Sequence, residues 1–195
     1  MLKHISGNEY ENYRWFFTSN GVLVVGGKSD KQNEMVLKNF LKPNYIVMHT
    51  NKPGSAFMII QSDRPSNKDL KETSIVTACF SQQWKKANGK NIEIDMFKAP
   101  QIFKTKFMKT GAFGVRGSKK IFKVKPELSL VLQKGKLRAV PNSTKEKKLV
   151  SIKPGKSTKE EATEKIFKII KDKFHLPVSR EEIMQAIPSD KLSVK

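Results

Sequence analysis

Val22-Leu23-Val24-Val25-Gly26-Gly27-Lys28-Ser29-Asp30-Lys31-Gln32-Asn33-Glu34-Met35-Val36 joins a β-prone run, a glycine pair and the start of an amphipathic helix. The valines favour a strand and Gly26-Gly27 ends it. Ser29 stands three residues before Gln32, the spacing of a capping box, and Met35, Val36, Phe40 and Leu41 follow at helical intervals up to Pro43. The order is strand, glycine turn, helix.

Working outward, residues 14–18 are aromatic and β-prone, and Ser19-Asn20-Gly21 is turn chemistry, so an N-terminal hairpin precedes the helix. Residues 45–49 and 56–60 read as two strands around Asn51-Lys52-Pro53-Gly54, and residues 67–86 as a second helix burying Leu70, Ile75, Cys79 and Phe80 or Trp84. Ile92, Ile94 and Met96 alternate with Glu93 and Asp95 in a half-buried strand over 91–98. Further strands are predicted at 121–125, 128–133 and 136–140. Strands gathered around two helices define an α+β fold with a mixed, largely antiparallel sheet. This domain spans 1–140, followed by a basic linker or long loop at 141–156. A small C-terminal helical extension occupies 157–195, its helices capped by Ser157-Thr158 with Glu160-Glu161 and by Ser179 with Glu182. Ala162, Ile166, Ile169, Ile170 and Phe174 make one apolar stripe on the first of these.

The 195 residues carry 38 Lys+Arg against 18 Asp+Glu, a formal net charge of +20, and their 37% hydrophobic content is enough to fill a core. The longest apolar runs, Val22 to Val25 and Phe57 to Ile60, are far too short to span a bilayer. Residues 1–7 lack the features of a signal peptide, so a cytoplasmic protein is expected. Cys79 is the sole cysteine, and His4, His49 and His175 are widely separated, so neither an internal disulfide nor a structural metal is expected, and no cofactor.

Residues 101–156 hold 16 of the cations and only 2 carboxylates, while 157–195 are nearly balanced at 8 and 7. So dense a field of one sign is costly and suits a polyanionic partner. Of the 38 cations, 33 are Lys and five are Arg, at positions 14, 64, 116, 138 and 180. Lysine meets phosphate as a mobile point charge, whereas bidentate reading of base edges is mainly an arginine task, so backbone recognition is predicted.

Gly26-Gly27-Lys28-Ser29 invites comparison with a phosphate loop, but the required first glycine falls on Val22. What survives is a helix N-terminus beside Lys28, able to hold one phosphate and equally a simple capped turn. Lys104, Lys106, Lys109, Arg116, Lys119 and Lys120 crowd around Gly111, Gly114 and Gly117, with Phe103, Phe107 and Phe113 interleaved. Such aromatics either stack unpaired bases or fill the core. His49 reads as structural, Trp15 and Trp84 as core, and Glu93 with Asp95 as an unshielded pair unsuited to acid–base chemistry. An RNA-acting enzyme would require His49, Glu34 and Ser55 to converge in space.

Taken together, these segments resemble the RNA-binding domain of the NFACT family of ribosome-quality-control factors. The resemblance is carried in order by Trp15-Phe16, Leu23-Val24-Val25-Gly26-Gly27-Lys28, Gln32-Asn33-Glu34, His49-Thr50, Pro53-Gly54-Ser55, Ala78-Cys79-Phe80-Ser81, Trp84, Thr110-Gly111-Ala112-Phe113 and Val115-Arg116-Gly117. It spans about residues 13–140. Full-length members carry further domains that this length does not hold, so the chain reads as a stand-alone version. The peptide-tailing activity of those members is not transferred. Residues 157–195 resemble the C-terminal extension of archaeal relatives.

The resemblance implies non-catalytic binding of structured RNA, tRNA or rRNA, in translation or ribosome quality control, with the large ribosomal subunit and a protein supplying other NFACT domains as candidate partners. Predicted phosphate contacts are Lys28, Lys104, Lys106, Lys109, Arg116, Lys119, Lys120, Lys123 and Lys125, to which the family segments add Gln32, Asn33, Thr110 and Gly111. The competing readings are a generic double-stranded DNA or polyanion binder and a peripheral membrane protein. The balanced charge of the helix after Thr158 argues against the membrane.

Overall fold

The computed structural model describes residues 9–87 and 89–195. His4 and the stretch read for a signal peptide lie outside the described residues. β1 (Arg14–Phe17) and β2 (Leu23–Gly26) pair antiparallel, with Trp15 opposite Val25 and Phe16 opposite Val24. Gly21, at φ +77, closes their turn by donating its N–H to the Thr18 carbonyl at 2.8 Å. Then α1 (Asp30–Phe40) begins with the Ser29 hydroxyl accepting the Gln32 N–H, the predicted cap. Met35 is exposed on this helix, whereas Val36, Leu37 and Phe40 make its buried face.

β3 (Ile46–Thr50) and β4 (Met58–Ile60) follow, then α2 (Asn67–Cys79), opened by a reciprocal capping box between Ser66 and Asp69. This helix is shorter than the predicted 67–86. After Cys79 the chain turns, Ser81 bridges to Ser55, and a 3-10 turn at Trp84–Lys86 delivers Trp84 to the core at 0% exposure. A helix continued to 86 would lose the backbone bond from Gln82 N–H to the Gly54 carbonyl, 2.8 Å, that fixes this turn.

β5 (Ile92–Lys98), the short β6 (Ile102–Phe103) and β7 (Gly114–Val115), and β8 (Lys120–Val124) complete the first half. β9 (Leu128–Gln133), β10 (Lys136–Pro141), β11 (Val150–Ser157), α3 (Lys159–Phe174), α4 (Arg180–Ala186) and β12 (Leu192–Val194) make the second. The strands form sheets ordered β1-β2-β4-β3-β5-β8, β10-β9-β11-β12 and β6-β7, and every described ladder is antiparallel. The fold is α+β as predicted, with three sheets in place of one.

The larger sheet is buried on both faces. α1 covers one, packing Val36, Leu37 and Phe40 on Val25, Val47, Ile59 and Phe97. The other meets α2 and the second sheet in a cluster that runs from Phe16, Met48 and Ile94 through Leu128, Leu130 and Leu137 to Ile166, Ile183 and Leu192. The residues of the C-terminal helices therefore share this core.

The segment expected as a linker over 141–156 is corrected here: residues 150–157 are β11, paired with β9 and β12. Leu149, Val150 and Ile152 are buried, an apolar alternation diluted in sequence by Lys147, Lys148, Lys153 and Lys156. Gln133 couples the sheets. Its side chain accepts the Phe17 N–H and donates to the Phe17 carbonyl, each at 2.8 Å, satisfying the open edge of β1.

Candidate nucleic-acid interface

Residues 104–113 loop out between β6 and β7, each only two residues long, so the hairpin needs other support. Gln101 supplies it at the base. Its amide donates to the carbonyls of Arg116 and Ser118 at 3.0 and 2.7 Å, while its backbone carbonyl accepts the Arg116 N–H at 2.8 Å. Nearer the tip, the loop is tied to α1 through Glu34, which accepts the Gly111 N–H at 2.9 Å and pairs with Lys104. Lys104, then the Gly111 N–H, hold the Glu34 carboxyl below its ordinary pKa. Gly111 has φ +77, and a Cβ there would lie 2.5 Å from that of Asp30, so glycine permits both the backbone shape and the close approach.

Beyond these anchors the tip is open. Phe107 is 85% exposed, with the Lys106 ammonium 5.1 Å from its ring centroid. Lys109 and Thr110 are exposed beside it, and the Arg116 guanidinium sits 4.5 Å from the Phe103 ring. Among the described residues, Lys106, Lys109, Arg116 and Lys120 form no ion pair. Phe113 does not share this exposure. It packs edge-on against Phe57 at 5.4 Å and joins the α1-side core.

The remaining predicted residues do not converge on the tip. Lys120 and Lys123 lie along β8, the edge strand of the larger sheet, with Lys119 and Lys125 at its two ends. Lys119 pairs with Asp95, Lys123 with Glu93 at 3.1 Å and Lys125 with Glu127 at 3.3 Å. Asp95, read from sequence as unshielded, is 3% exposed; the sheet and Lys119 cover it.

Lys28 lies in the turn before α1, its N–H donating to the Gln32 side chain at 3.0 Å and its ammonium to the Asn12 carbonyl at 3.3 Å. Gln32 thus shapes the turn. Asn33, predicted as an RNA contact, is corrected: it is 5% exposed and its amide is spent on the Ser55 carbonyl and the Phe57 N–H, at 3.3 and 3.1 Å. It ties α1 to the segment before β4. Gly27 makes room for it, since a Cβ at Gly27 would lie 2.6 Å from the Asn33 nitrogen.

His49, Glu34 and Ser55 do not form a reactive constellation. Glu34 serves Lys104 and Gly111, the His49 Nδ1 lies 2.7 Å from the Thr50 carbonyl, and the Ser55 hydroxyl accepts the Thr50 N–H at 3.0 Å. Burial pushes the His49 pKa below its ordinary value. Burial likewise pushes the Cys79 thiol up, away from reactivity. Among the described residues no three His, Cys, Asp or Glu side chains gather at metal-binding distance, and no helix is long and apolar enough to cross a membrane.

Sequence reasoning missed a second basic feature, a cleft lined by Arg14, Lys28, Phe80 and Lys159, with Arg138 nearby. Arg14 lies 3.6 Å over the Phe80 ring and Arg138 lies 3.9 Å over Trp15. Burial, then the charge of Arg138, lowers Arg14 to about 10, and burial, then Arg14 and Arg138, lowers Lys28. The available signal was an arginine opening the aromatic strand Arg14-Trp15-Phe16-Phe17.

Residues 12–117 match the family described as "NFACT protein RNA binding domain". The archaeal Rqc2 homolog aRqcH of Methanocaldococcus jannaschii is 28% identical over 193 residues, covering 92% of this chain and 28% of that protein. The ribosome quality control complex subunit NEMF homolog of Drosophila melanogaster is 29% identical over 118 residues, covering 56% of this chain and 12% of its own length. The chain thus spans less than a third of the length of these relatives. The C-terminal part of the fibronectin/fibrinogen-binding protein from Streptococcus suis shares the fold, with a TM-score of 0.52 and 23% identity over 58% of this chain and 45% of that one.

Proposed function

The chain belongs to the family of NFACT protein RNA binding domains, and from that premise we propose that it grips structured RNA, tRNA or rRNA, without catalysis, as part of ribosome quality control in the cytoplasm. The observation that supports this most directly is the tip of the β6–β7 hairpin. Lys106 and Lys109 there, and Arg116 at the hairpin base, have no carboxylate partner among the described residues, and Phe107, beside Lys106, is exposed. Free cations meet phosphates, and an exposed ring stacks unpaired bases, with little dependence on sequence. Lys119, Lys123 and Lys125 can join only by trading a carboxylate for a phosphate. Lys120, Lys28, Lys104, Thr110 and Gly111 extend the surface. The partners that fit are RNA on the large ribosomal subunit and a protein carrying other NFACT-type domains.

The test is a salt-resolved binding titration against tRNA and a DNA duplex with the same number of phosphates. Tighter binding to tRNA at every salt concentration is expected. Equal or tighter binding to the duplex reduces the surface to a general polyanion site.

A further inference from the structure

The cleft beside α1 is built differently from the hairpin. Arg14 enters from β1, Lys28 from the turn before α1 and Lys159 from the first position of α3, three segments far apart in sequence. The cavity they line has a volume of about 320 Å³, enough for a nucleotide. Arg14 forms the floor. Its Nε is sealed from solvent and has no hydrogen-bond partner, its guanidinium lies flat on Phe80, and no carboxylate pairs with it among the described residues.

Of the acidic groups nearby, Asp190, Glu11 and Glu182 have other partners, whereas Asp30 and Glu181 line the rim without an ion pair among the described residues. Asp190 accepts the backbone N–H of Lys159 at 3.0 Å and pairs with Lys85, while Glu11 pairs with Lys136. Glu182 accepts the Leu137 N–H at 2.8 Å, and its charge acts on Arg138. Asp30 sits on the rim at the start of α1, and Glu160 acts on Lys159 from outside. Cations gathered in this way, with one buried donor left unmade, carry an electrostatic and a hydrogen-bonding cost that a bound anion relieves. Ser29 and Ser189 line the same cavity and add hydroxyl donors suited to a tetrahedral oxyanion.

We propose that this cleft seats the terminal phosphate of an RNA strand, with Arg14 as its floor and Lys28 and Lys159 as its walls. A terminal monoester carries more charge than an internal diester and so answers three converging cations better. A concave cavity of this size also admits a strand end more readily than a continuous duplex. The inference rests on the RNA-binding reading and adds to it a preference for strand ends.

The experiment compares the full chain's affinity for a short single-stranded oligoribonucleotide phosphorylated at its 5′ end, its 3′ end or neither, with adenosine monophosphate as a competitor. One phosphorylated form is expected to bind about tenfold more tightly than the hydroxyl form, the gain of a charge-assisted hydrogen-bond cluster. Lys159→Gln, a neutral change at the end of a helix, and Arg14→Lys, which keeps charge but loses the flat guanidinium, should each erase that difference. Lys106→Ala with Lys109→Ala should weaken all three oligomers alike. Equal affinity of the three for the wild-type protein overturns the proposal, as does a phosphate preference that survives in Lys159→Gln. Competition by adenosine monophosphate at concentrations matching the oligomer's dissociation constant assigns the cleft to free nucleotides and overturns the strand-end reading. If the hairpin variant leaves affinity intact while the end preference persists, the hairpin reading fails and the cleft stands.

Discussion

The hairpin and the cleft carry charge of the same sign, but water treats them differently. At the hairpin the cations are mainly lysines on a loop tied down by Glu34 and Gln101, with their ammonium groups in solvent. In the cleft, Arg14 and Arg138 lie flat on Phe80 and Trp15, and burial lowers the pKa of both, and of Lys28 and Lys159. Exposed charges are screened over about 8–10 Å at ordinary salt, whereas desolvated charges are screened much less. The hairpin therefore suits fast, salt-sensitive, sequence-tolerant capture, and the cleft suits recognition of one group at one place.

The largest effect that separates them belongs to the hairpin. Replacing Lys106, Lys109 and Arg116 together by Ala should weaken binding to tRNA about hundredfold at low salt and reduce the slope of log affinity against log salt by about 3, one per lost phosphate contact. Lys123→Ala with Lys125→Ala should cost only about threefold, because each lysine already holds a glutamate that a phosphate must displace. Filter-binding titrations over a salt series measure both. Equal losses from the two sets would erase the distinction between free and paired cations.

Phe107→Ala comes next. Stacking of one base is worth about 1–3 kcal/mol, so affinity for single-stranded RNA should fall about tenfold with the salt slope unchanged. Phe113→Ala, at a ring packed on Phe57, should instead lower stability by about 2 kcal/mol, less than a fully buried Phe. Urea melts beside binding curves separate the two, and a stability loss in Phe107→Ala would move that ring from the interface to the core.

That contrast between two neighbouring phenylalanines shows where the sequence stops being readable. The β1–β2 hairpin, the Ser29 cap and the amphipathic face of α1 depend on residues close in the chain, so propensity and periodicity reveal them. β11 hides because lysines dilute its alternation, and its register is visible only once β9 and β12 lie on either side of it. Family segments drew attention to 110–117 and 26–34, yet they could not say that Asn33 faces inward while Phe107 faces out. Nor could they say which lysines are neutralised. Lys119 and Lys123 meet Asp95 and Glu93 only through the β5–β8 register. The cleft was least legible of all, since Arg14, Arg138 and Lys159 are brought together by the packing of two sheets and a helix.

Glu34→Gln sharpens the comparison with a smaller effect. It removes the ion pair with Lys104 and weakens the acceptor of the Gly111 N–H, so the hairpin loses its tie to α1 while the cleft is untouched. Amide exchange across residues 104–113 should quicken about tenfold, with the global unfolding midpoint nearly unchanged. Unchanged exchange would mean that Gln101 and the Phe113 contact hold the loop without Glu34.

The smallest expected effect is a dependence on pH that only the hairpin side should show. His49 packs on Phe57 at 4.5 Å, and Phe57 in turn meets Phe113 at the root of the hairpin. Burial lowers the His49 pKa from its ordinary 6.5, against smaller upward pulls from the Thr50 carbonyl, Asp95 and Ser55. The folded chain therefore takes up this proton less readily than the unfolded chain. Stability from this group is complete above about 6.5 and is lost as pH falls from there toward the folded value, because only the unfolded state gains a proton in that window. Glu34 and Asp69, held below their ordinary values, stay ionised throughout it. No histidine lines the cleft among the described residues. Urea midpoints at pH 7.5 and 5.5 should fall on acidification in the wild type, with faster amide exchange at 104–113, and His49→Gln should flatten the dependence. An equally steep dependence in His49→Gln would remove His49 from beneath the hairpin as the titrating group and leave both basic regions without a pH-sensitive support.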